Sequence, residues 1–551
     1  RIRCTCSNTF SPSSDHWLRS EPATAQNTPL QAIADTLFNP AKMGKRRRET
    51  EKASTEEAAA VTPKRSRTKQ PAKTLYKQHD VTKAEVLGLG KEAAKLQGRL
   101  ATEKLWDFVP SPKWLPAVPR RKVPLGGMGP EAAVEVELAR ARALGKLRHK
   151  LQELCSEAGI EVVPKLAFEK WRFAAKWKED TEHGESAAAG NLLIHAKKAK
   201  ARGDPLLPHS GSSRPGAQLV EEGLVDDLVR AGASAGSAKT IAASLAEEAK
   251  AVSREIQLQK HQIQSGRPVL HSARLPTLMG HKHSLDISCS GNFVKLTYLG
   301  LEKLKLLYTQ NSPLGDSHSQ EDAIQEYEDG STAQGSHFIC RTFCLLLRYK
   351  IMQGHGFQAA AGPEVFRLLN QRLGVALECF ASPLNTYFGR YCSAFPDVDS
   401  PFGSQGSFWN FRPTSGSFQA NPPFVPCIMA SMADQLEALL AHAESVSAPL
   451  SFAVFIPGWK ECRAWSQLFA SSFLKEHILV AAADHGYCDG ASHQRKDSYR
   501  VSCYDTGVFF LQTSAASKKW VVSDNFLEDL RIAMARSTPS TAAEMRQKRS
   551  K

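Results

Sequence analysis

No stretch of about eighteen consecutive apolar residues occurs in the chain, so nothing in it reads as a membrane-spanning helix. Paired cysteines are missing too. The twelve cysteines are scattered and none stands in the Cys-x-x-Cys spacing of a zinc site, which excludes a zinc-finger framework and fits a reducing compartment. Cys340 and Cys344 share one face of a predicted helix with Leu347 and are expected as core thiols. Residues 1–42 contain no methionine and no sustained hydrophobic period, whereas the text from Met43 onward begins like a natural amino terminus. The leading stretch is therefore expected to be upstream translation outside the fold.

Acidic residues are in short supply. Against 71 Lys+Arg stand 56 Asp+Glu, a formal charge of +15 and a pI near 9.2, which favours a polyanionic partner. Lys45-Arg46-Arg47-Arg48 and the run from Pro63 to Lys69 form two basic clusters with an Ala/Glu/Thr spacer between them. With so little to bury, residues 1–80 are expected to be disordered, and the two spaced clusters predict a nuclear import signal ahead of a general polyanion-binding tail. A second basic tail is expected over 541–551.

The 551 residues, 42% of them hydrophobic, leave room for roughly two to four domains. Residues 81–260 read as an all-helical module with a linker near 181–217 and no catalytic constellation of its own. In it Leu144, Leu147, Leu151 and Leu154 repeat at helical spacing, and Trp171 and Trp177 lie in a basic aromatic stripe expected to pack rather than to bind nucleic acid. From about 266 to 540 the pattern changes. Short extended runs turn at Ser290-Gly291-Asn292, a polar stretch over 310–335 reads as an insertion, and 337–352 is an apolar helix that must be buried.

Strand and helix then alternate. Apolar runs at 374–380, 450–457 and 477–483 read as buried strands, with helices at 363–373 and around 464–475. Residues 498–513 read as a strand pair turning at Asp505-Thr506-Gly507. The pattern predicts a doubly wound α/β domain with an antiparallel closing hairpin at its edge, and such folds bind ligands at the carboxyl ends of strands.

At one of these ends stands Asn421-Pro422-Pro423-Phe424, ahead of a helix whose apolar face carries Ile428, Met429, Met432, Leu436, Leu439 and Leu440. Asn421 and Pro422 each precede a proline and cannot begin a helix; Pro422 and Pro423 lack an N–H and cannot continue a strand ladder. A stiff corner bearing an Asn amide oxygen and a free backbone carbonyl can accept both hydrogens of an exocyclic NH2 group. That arrangement localises the nitrogen lone pair, and Phe424 can stack on the base. The alternative for these four letters is a proline-rich turn with a core Phe.

The longer text around the corner narrows the choice. FCLLLRY (343–349), LECFASPLN (377–385), YCSAFPDVD (391–399), SGSFQANPPF (415–424), LSFAVFIP (450–457) and GVFFLQ (507–512) resemble the phosphorylated CTD-interacting factor family, cap-specific adenosine N6-methyltransferases of mRNA. The resemblance covers roughly 337–536. It implies a Rossmann-like methyltransferase domain, S-adenosylmethionine as methyl donor, capped mRNA as partner and the nucleus as location. It also implies that Asn421, Pro422, Pro423 and Phe424 hold the amine and the methyl donor. Phe380, Ser382 and Asp397 are the further cofactor candidates, with Glu378 and Asp399 as alternative carboxylates for the ribose. Trp459, Lys460 and Glu461 take the position of a substrate-contacting segment, and Asp484, His485 and Tyr487 that of a second wall for capped RNA. An indole such as Trp459 also suits a cationic methylated purine.

Three features depart from the family pattern. The ECFASPLN loop has no glycine, and Pro426 stands where the family has an acid. Trp106 and Trp114 are too close together, and Trp17 too isolated, for the two tryptophans of a WW domain. The chain is thus expected to lack that domain and with it a firm hold on the phosphorylated carboxy-terminal domain of RNA polymerase II. Two other readings stay open, an N6-adenine methyltransferase acting on internal RNA or DNA and a non-catalytic nuclear scaffold on a decayed methyltransferase fold.

Overall fold

Helices α1 (Pro130–Glu157), α2 (Ala167–Ala188), α3 (Ala217–Arg230) and α4 (Ala235–Gln264) open the described part of the chain. The computed structural model describes residues 130–164, 166–188, 204, 206–207, 217–265, 276–281, 284–311, 333–353, 358–494 and 499–538, all within the unit Tyr76–Lys551. The amino-terminal stretch with its two basic clusters, the helical reading of 81–129, most of the 181–217 linker, the centre of the 310–335 insertion and the 541–551 tail lie outside these residues. The helical period of α1 does what its spacing implies: Leu144, Leu147 and Leu151 are buried, and Leu154 is partly so. Ser234 caps α4 by accepting from the Ser237 N–H.

An antiparallel meander follows, β1 (Thr277–Gly280), β2 (Ser284–Cys289) and β3 (Asn292–Thr297), with the β2–β3 turn at Ser290 and Gly291. Helix α5 (Tyr298–Asn311) leaves it, and α6 (Ala333–Met352) packs against α1. Cys340 and Cys344 are buried on α6, as expected of core thiols. Helix α7 (Pro363–Leu373) ends where Gly374 turns left-handed at φ 64°; a Cβ there would stand 2.7 Å from the Trp520 indole nitrogen, so glycine is required.

The main sheet contains β4 (Gly416–Ala420), β5 (Leu450–Pro457), β6 (Leu474–Val480) and β9 (Thr506–Gln512), in the order β4-β5-β9-β6. β4 and β5 are parallel, and β9 runs antiparallel to both β5 and β6. Between them lie the short helix α8 (Pro396–Asp399), α9 (Pro426–Ser445), α10 (Arg463–Phe469), and the strands β7 (Gly486–Cys488) and β8 (Tyr499–Val501); α11 (Ser514–Lys519) and α12 (Asp524–Ala535) close the described chain. Phe418, Phe452, Phe509 and Leu511 join α9, α10 and the helices of 130–265 in one continuous core. Ala453, Phe455, Val508 and Phe510 point to the other face, under α7 and α12. The sheet is covered on both sides, and the chain is a mixed α/β protein.

Three strand expectations are corrected. The run expected as a buried strand over 477–483 is β6, which starts at Leu474 and lies at the sheet edge with Lys475, Glu476 and His477 exposed, and the helix before it ends at Phe469. The closing hairpin does not form: β8 pairs with β7, and β9 is inserted between β5 and β6 instead of lying at an edge. Every residue of β9 is buried, so the strand needs cover on both faces and partners on both sides. Residues 375–379 are buried as expected but make only two isolated bridges, both at Glu378, to Tyr391 and to Gln419. Their backbone reaches β4 through Cys379 N to Gln419 O at 2.7 Å and Gln419 N to Leu377 O at 3.0 Å.

Candidate active site

Where β4 stops at Ala420, the two prolines end the ladder and Asn421 turns its amide inward. Asn421 Nδ2 donates to the Ala359 carbonyl at 2.9 Å, and its Oδ1 is buried with no hydrogen-bond partner. The anchor is itself fixed on both sides. Ala360 exchanges two backbone hydrogen bonds with Cys488 of β7, at 3.1 and 2.8 Å, and Asn385 Nδ2 donates to the Gln358 carbonyl at 2.8 Å. Pro426 opens α9 in its first turn, where a missing N–H costs no hydrogen bond. The residue that departs from the family pattern thus starts the helix behind the corner.

Asn421 and Pro423 face a cavity of about 810 Å³, counting the space continuous with solvent. The 379–382 loop, Phe408 and Trp409, and Gln358 form much of its wall, and Phe173, Lys176 and Trp177 reach it from α2. Phe380 lies 4.6 Å from Phe408 and 6.1 Å from Trp409 between ring centroids, an aromatic wall suited to a flat heterocycle. Pro422 is buried behind the corner. Phe424 is half-buried beside it and meets Trp459 edge-on at 6.4 Å; Trp459 meets Tyr504 in the same way at 5.2 Å. Lys460 and Glu461 are exposed next to this aromatic ledge.

The loop without glycine is held by polar bonds in place of backbone freedom. Ser382 lines the cavity, but its N–H and hydroxyl both donate to Asn385 Oδ1, at 2.7 and 2.9 Å, so the hydroxyl holds the loop. Glu378 Oε1 accepts from Thr386 Oγ1, Tyr387 N and Phe388 N, and Lys303 Nζ donates to the Leu384 and Thr386 carbonyls. Burial pushes the Glu378 carboxyl up to about 7 against the pull of those hydrogen bonds and of Lys303. Its bonded oxygen faces the loop, and Glu378 is not among the residues lining the cavity.

The remaining carboxylates are placed away from the cavity too. Asp397 takes Arg348 in a two-pronged pair at 3.1 and 2.8 Å. Burial alone would raise its carboxyl; the Arg348 guanidinium and the hydrogen bonds from it outweigh that and hold it down to about 2. Asp399 is fully buried and accepts from the Tyr349 hydroxyl at 2.8 Å, with burial pushing it up to about 7. The second wall is corrected as well. Only Asp484 is exposed; His485 is buried, with its ring nitrogens on the Ala481 carbonyl and Thr506 Oγ1, and the Tyr487 hydroxyl meets the same Thr506 Oγ1 at 2.7 Å. This stretch braces the segment that anchors Asn421.

Residues 303–490 match the family model described as Phosphorylated CTD interacting factor 1 WW domain. That stretch is about a third of this chain. Over 261 residues the chain is 37% identical to the human protein named mRNA (2'-O-methyladenosine-N(6)-)-methyltransferase and to its mouse counterpart, a stretch that covers 46% of this chain and 34% of each relative. The chain thus aligns with about a third of the length of these curated relatives. The expectation of a missing WW domain rested on tryptophan spacing near the amino terminus; the match that carries that name falls elsewhere. It spans the glycine-free loop, the parallel pair β4–β5 and the Asn421 corner, and leaves α2 outside.

Several cavity residues were not singled out in the sequence. Gln358 sits in loop text with no motif, and Asn385 closes the LECFASPLN run without a role of its own. Trp177 belongs to a stripe read as packing; Trp171 of the same stripe is indeed buried, while Trp177 reaches the cavity. Phe408 and Trp409 lie in the aromatic run FWNF, which was the one local signal available.

Proposed function

We propose that the chain transfers a methyl group from S-adenosylmethionine to N6 of the 2′-O-methyladenosine beside the 7-methylguanosine cap of mRNA. One observation carries the reading: the Asn421 amide is anchored at its nitrogen and has a buried, unpartnered oxygen at the wall of an aromatic cavity. A buried acceptor without a donor is costly unless a ligand supplies one. An adenine amine does so. Asn421 Oδ1 accepts one N6–H and the carbonyl at Pro422 the other, which draws the nitrogen toward tetrahedral geometry and exposes its lone pair. These hydrogen bonds strengthen as positive charge develops on N6. The product ammonium is acidic, so no residue has to act as a strong base.

The residues present fit the methyl donor. Phe380, Phe408 and Trp409 offer an apolar aromatic wall, Ser382 and Asn385 fix the loop, and Lys176 brings a cation to the cavity. When bound, S-adenosylmethionine supplies a methyl group made electrophilic by its sulfonium. The chain contributes alignment and exclusion of water, the main source of acceleration for an in-line transfer. The half-buried ledge of Phe424, Trp459 and Tyr504, with Lys460 and Glu461 beside it, is the surface we assign to the cap.

The finer fold reading supports this function. We read the parallel pair, the antiparallel strand set between its neighbours and the helices on both faces as a doubly wound Rossmann-like methyltransferase domain, with the corner at the carboxyl end of β4. We divide the chain into a helical module, which lends α2 to the cavity, and this domain. The basic amino-terminal clusters support a nuclear location, and the family's name supports contact with the phosphorylated polymerase tail. The test is methyl transfer to an RNA that begins with 2′-O-methyladenosine, capped and uncapped. Transfer that requires the cap is expected. Equal rates would move the substrate to internal adenine, and no transfer to either, with no calorimetric binding of S-adenosylmethionine, would leave a scaffold.

A further inference from the structure

Gln358 is only 8% exposed, and its Nε2 is buried without a hydrogen-bond partner at the wall of the same cavity. Its backbone is rigidly placed. The Gln358 carbonyl accepts from Asn385, the next carbonyl, of Ala359, anchors Asn421, and Ala360 is locked to Cys488. The cavity therefore presents two unpaired polar atoms of opposite sense on connected supports: an acceptor, Asn421 Oδ1, and a donor, Gln358 Nε2.

Adenine offers the complementary pair. Its amine donates, and the ring positions flanking that amine, N1 and N7, accept. Guanine reverses the Watson–Crick pair, with an accepting O6 against Asn421 Oδ1 and a donating N1–H against Gln358 Nε2. Cytosine shows the adenine-like pair on a smaller ring, so its exclusion falls to the size of the cavity. We propose that Gln358 donates a hydrogen bond to a ring nitrogen flanking the methylated amine; at N1 this makes the site specific for adenine over guanine, whereas at N7, an acceptor in both purines, the discrimination falls to Asn421 Oδ1 against the guanine O6. The proposal rests on the methyltransferase reading of this cavity and adds a substrate-binding residue to it. Mispairing of a buried donor discriminates strongly, because the wrong base leaves the donor unsatisfied.

The experiment compares the full-length chain with Gln358→Met, which keeps the length of the side chain and removes the amide. Capped RNAs carry adenosine, 1-deazaadenosine or 7-deazaadenosine at the first position, and kcat/KM is measured for each. In the wild type one deaza analogue should cost about tenfold beyond its cost in Gln358→Met, since that analogue removes the acceptor and the variant has already lost the donor. The sensitive analogue identifies the nitrogen. Equal penalties in the two proteins overturn the proposal. So does weaker calorimetric binding of S-adenosylmethionine to Gln358→Met with unchanged analogue penalties, which would place the amide on the methyl donor. If Gln358→Met does not fold, Gln358→Glu serves: only its protonated carboxyl donates, so its rate should fall as pH rises relative to wild type, and a parallel pH profile overturns the proposal. A wild type that methylates none of the RNAs is a distinct failure, that of the methyltransferase reading, and this inference falls with it.

Discussion

The corner at Asn421 and the node at Arg348 are both polar and both built into the interior, yet they are wired in opposite ways. Arg348 is fully buried; its guanidinium donates to both oxygens of Glu137, at 2.6 and 2.8 Å, and to both of Asp397, and it lies 5.2 Å over the Phe395 ring. Arg140 extends the network by pairing Glu137 with Asp204. At the corner, by contrast, Asn421 and Gln358 each keep an atom without a partner. The node ties α1 to α6 and α8, and each of its charges has an opposite partner. The difference teaches how to separate architecture from site: a charge cluster that satisfies itself holds elements together, and a rigid amide left half-satisfied at a cavity wall awaits a ligand.

Mutations can break this contrast, and the largest expected effect is at the corner. Asn421→Ala should lower methyl transfer by about 10³-fold or more, the scale of losing a preorganised contact at the reacting atom. Its melting temperature should stay within a few degrees of wild type, because the amide makes one structural hydrogen bond. At the node the expectation is reversed. Arg348→Met should destabilise the fold by about 3 kcal/mol, because the buried Glu137 loses one of its two arginine partners and Asp397 loses its tie to α6, measured by urea unfolding, while each folded molecule keeps its rate. Combining it with Glu137→Leu should recover much of that loss. An Arg348→Met variant as stable as wild type would show that the node is not structural.

Smaller effects sharpen the comparison. Trp459→Ala should raise KM for capped RNA about tenfold with little change in kcat, as expected of a stacking ledge outside the reacting centre. The pH dependence separates two neighbouring aspartates. The Asp399 carboxyl is raised from 3.8 to about 7, so its ionisation opposes folding, and wild type should lose stability relative to Asp399→Asn as pH rises from about 4 to 7, with no further change above. Asp397 is lowered from 3.8 to about 2; its contribution is present above pH 4 and lost as pH falls toward 2, so the gap between wild type and Asp397→Asn should close over that range. Urea midpoints against pH measure both.

Much of this architecture was legible in local text. The prolines at 422 and 423 forced a corner, the repeat of Leu144, Leu147 and Leu151 forced a buried helix face, and the apolar runs at 450–457 and 506–512 required strands covered on both sides. What the local text could not convey was partnership. Adjacent in sequence, β8 and β9 read as a hairpin, but an all-buried β9 is better satisfied between β5 and β6. Asp397, His485 and Tyr487 stood in motif positions that suggested ligand contact, and the fold engages them with Arg348, Ala481 and Thr506.

The order of elements, the mixed α/β class and the position of the Asn421-Pro422-Pro423-Phe424 corner were determined by the sequence itself, because periodicity and proline stereochemistry are properties of contiguous residues. Only the tertiary structure decided which polar atoms remain unpaired. That depends on contacts between residues far apart in the chain, Ala359 with Asn421, Asn385 with Gln358, and α2 with the cavity, and a buried donor or acceptor becomes a binding site only once every neighbour has taken its own partner.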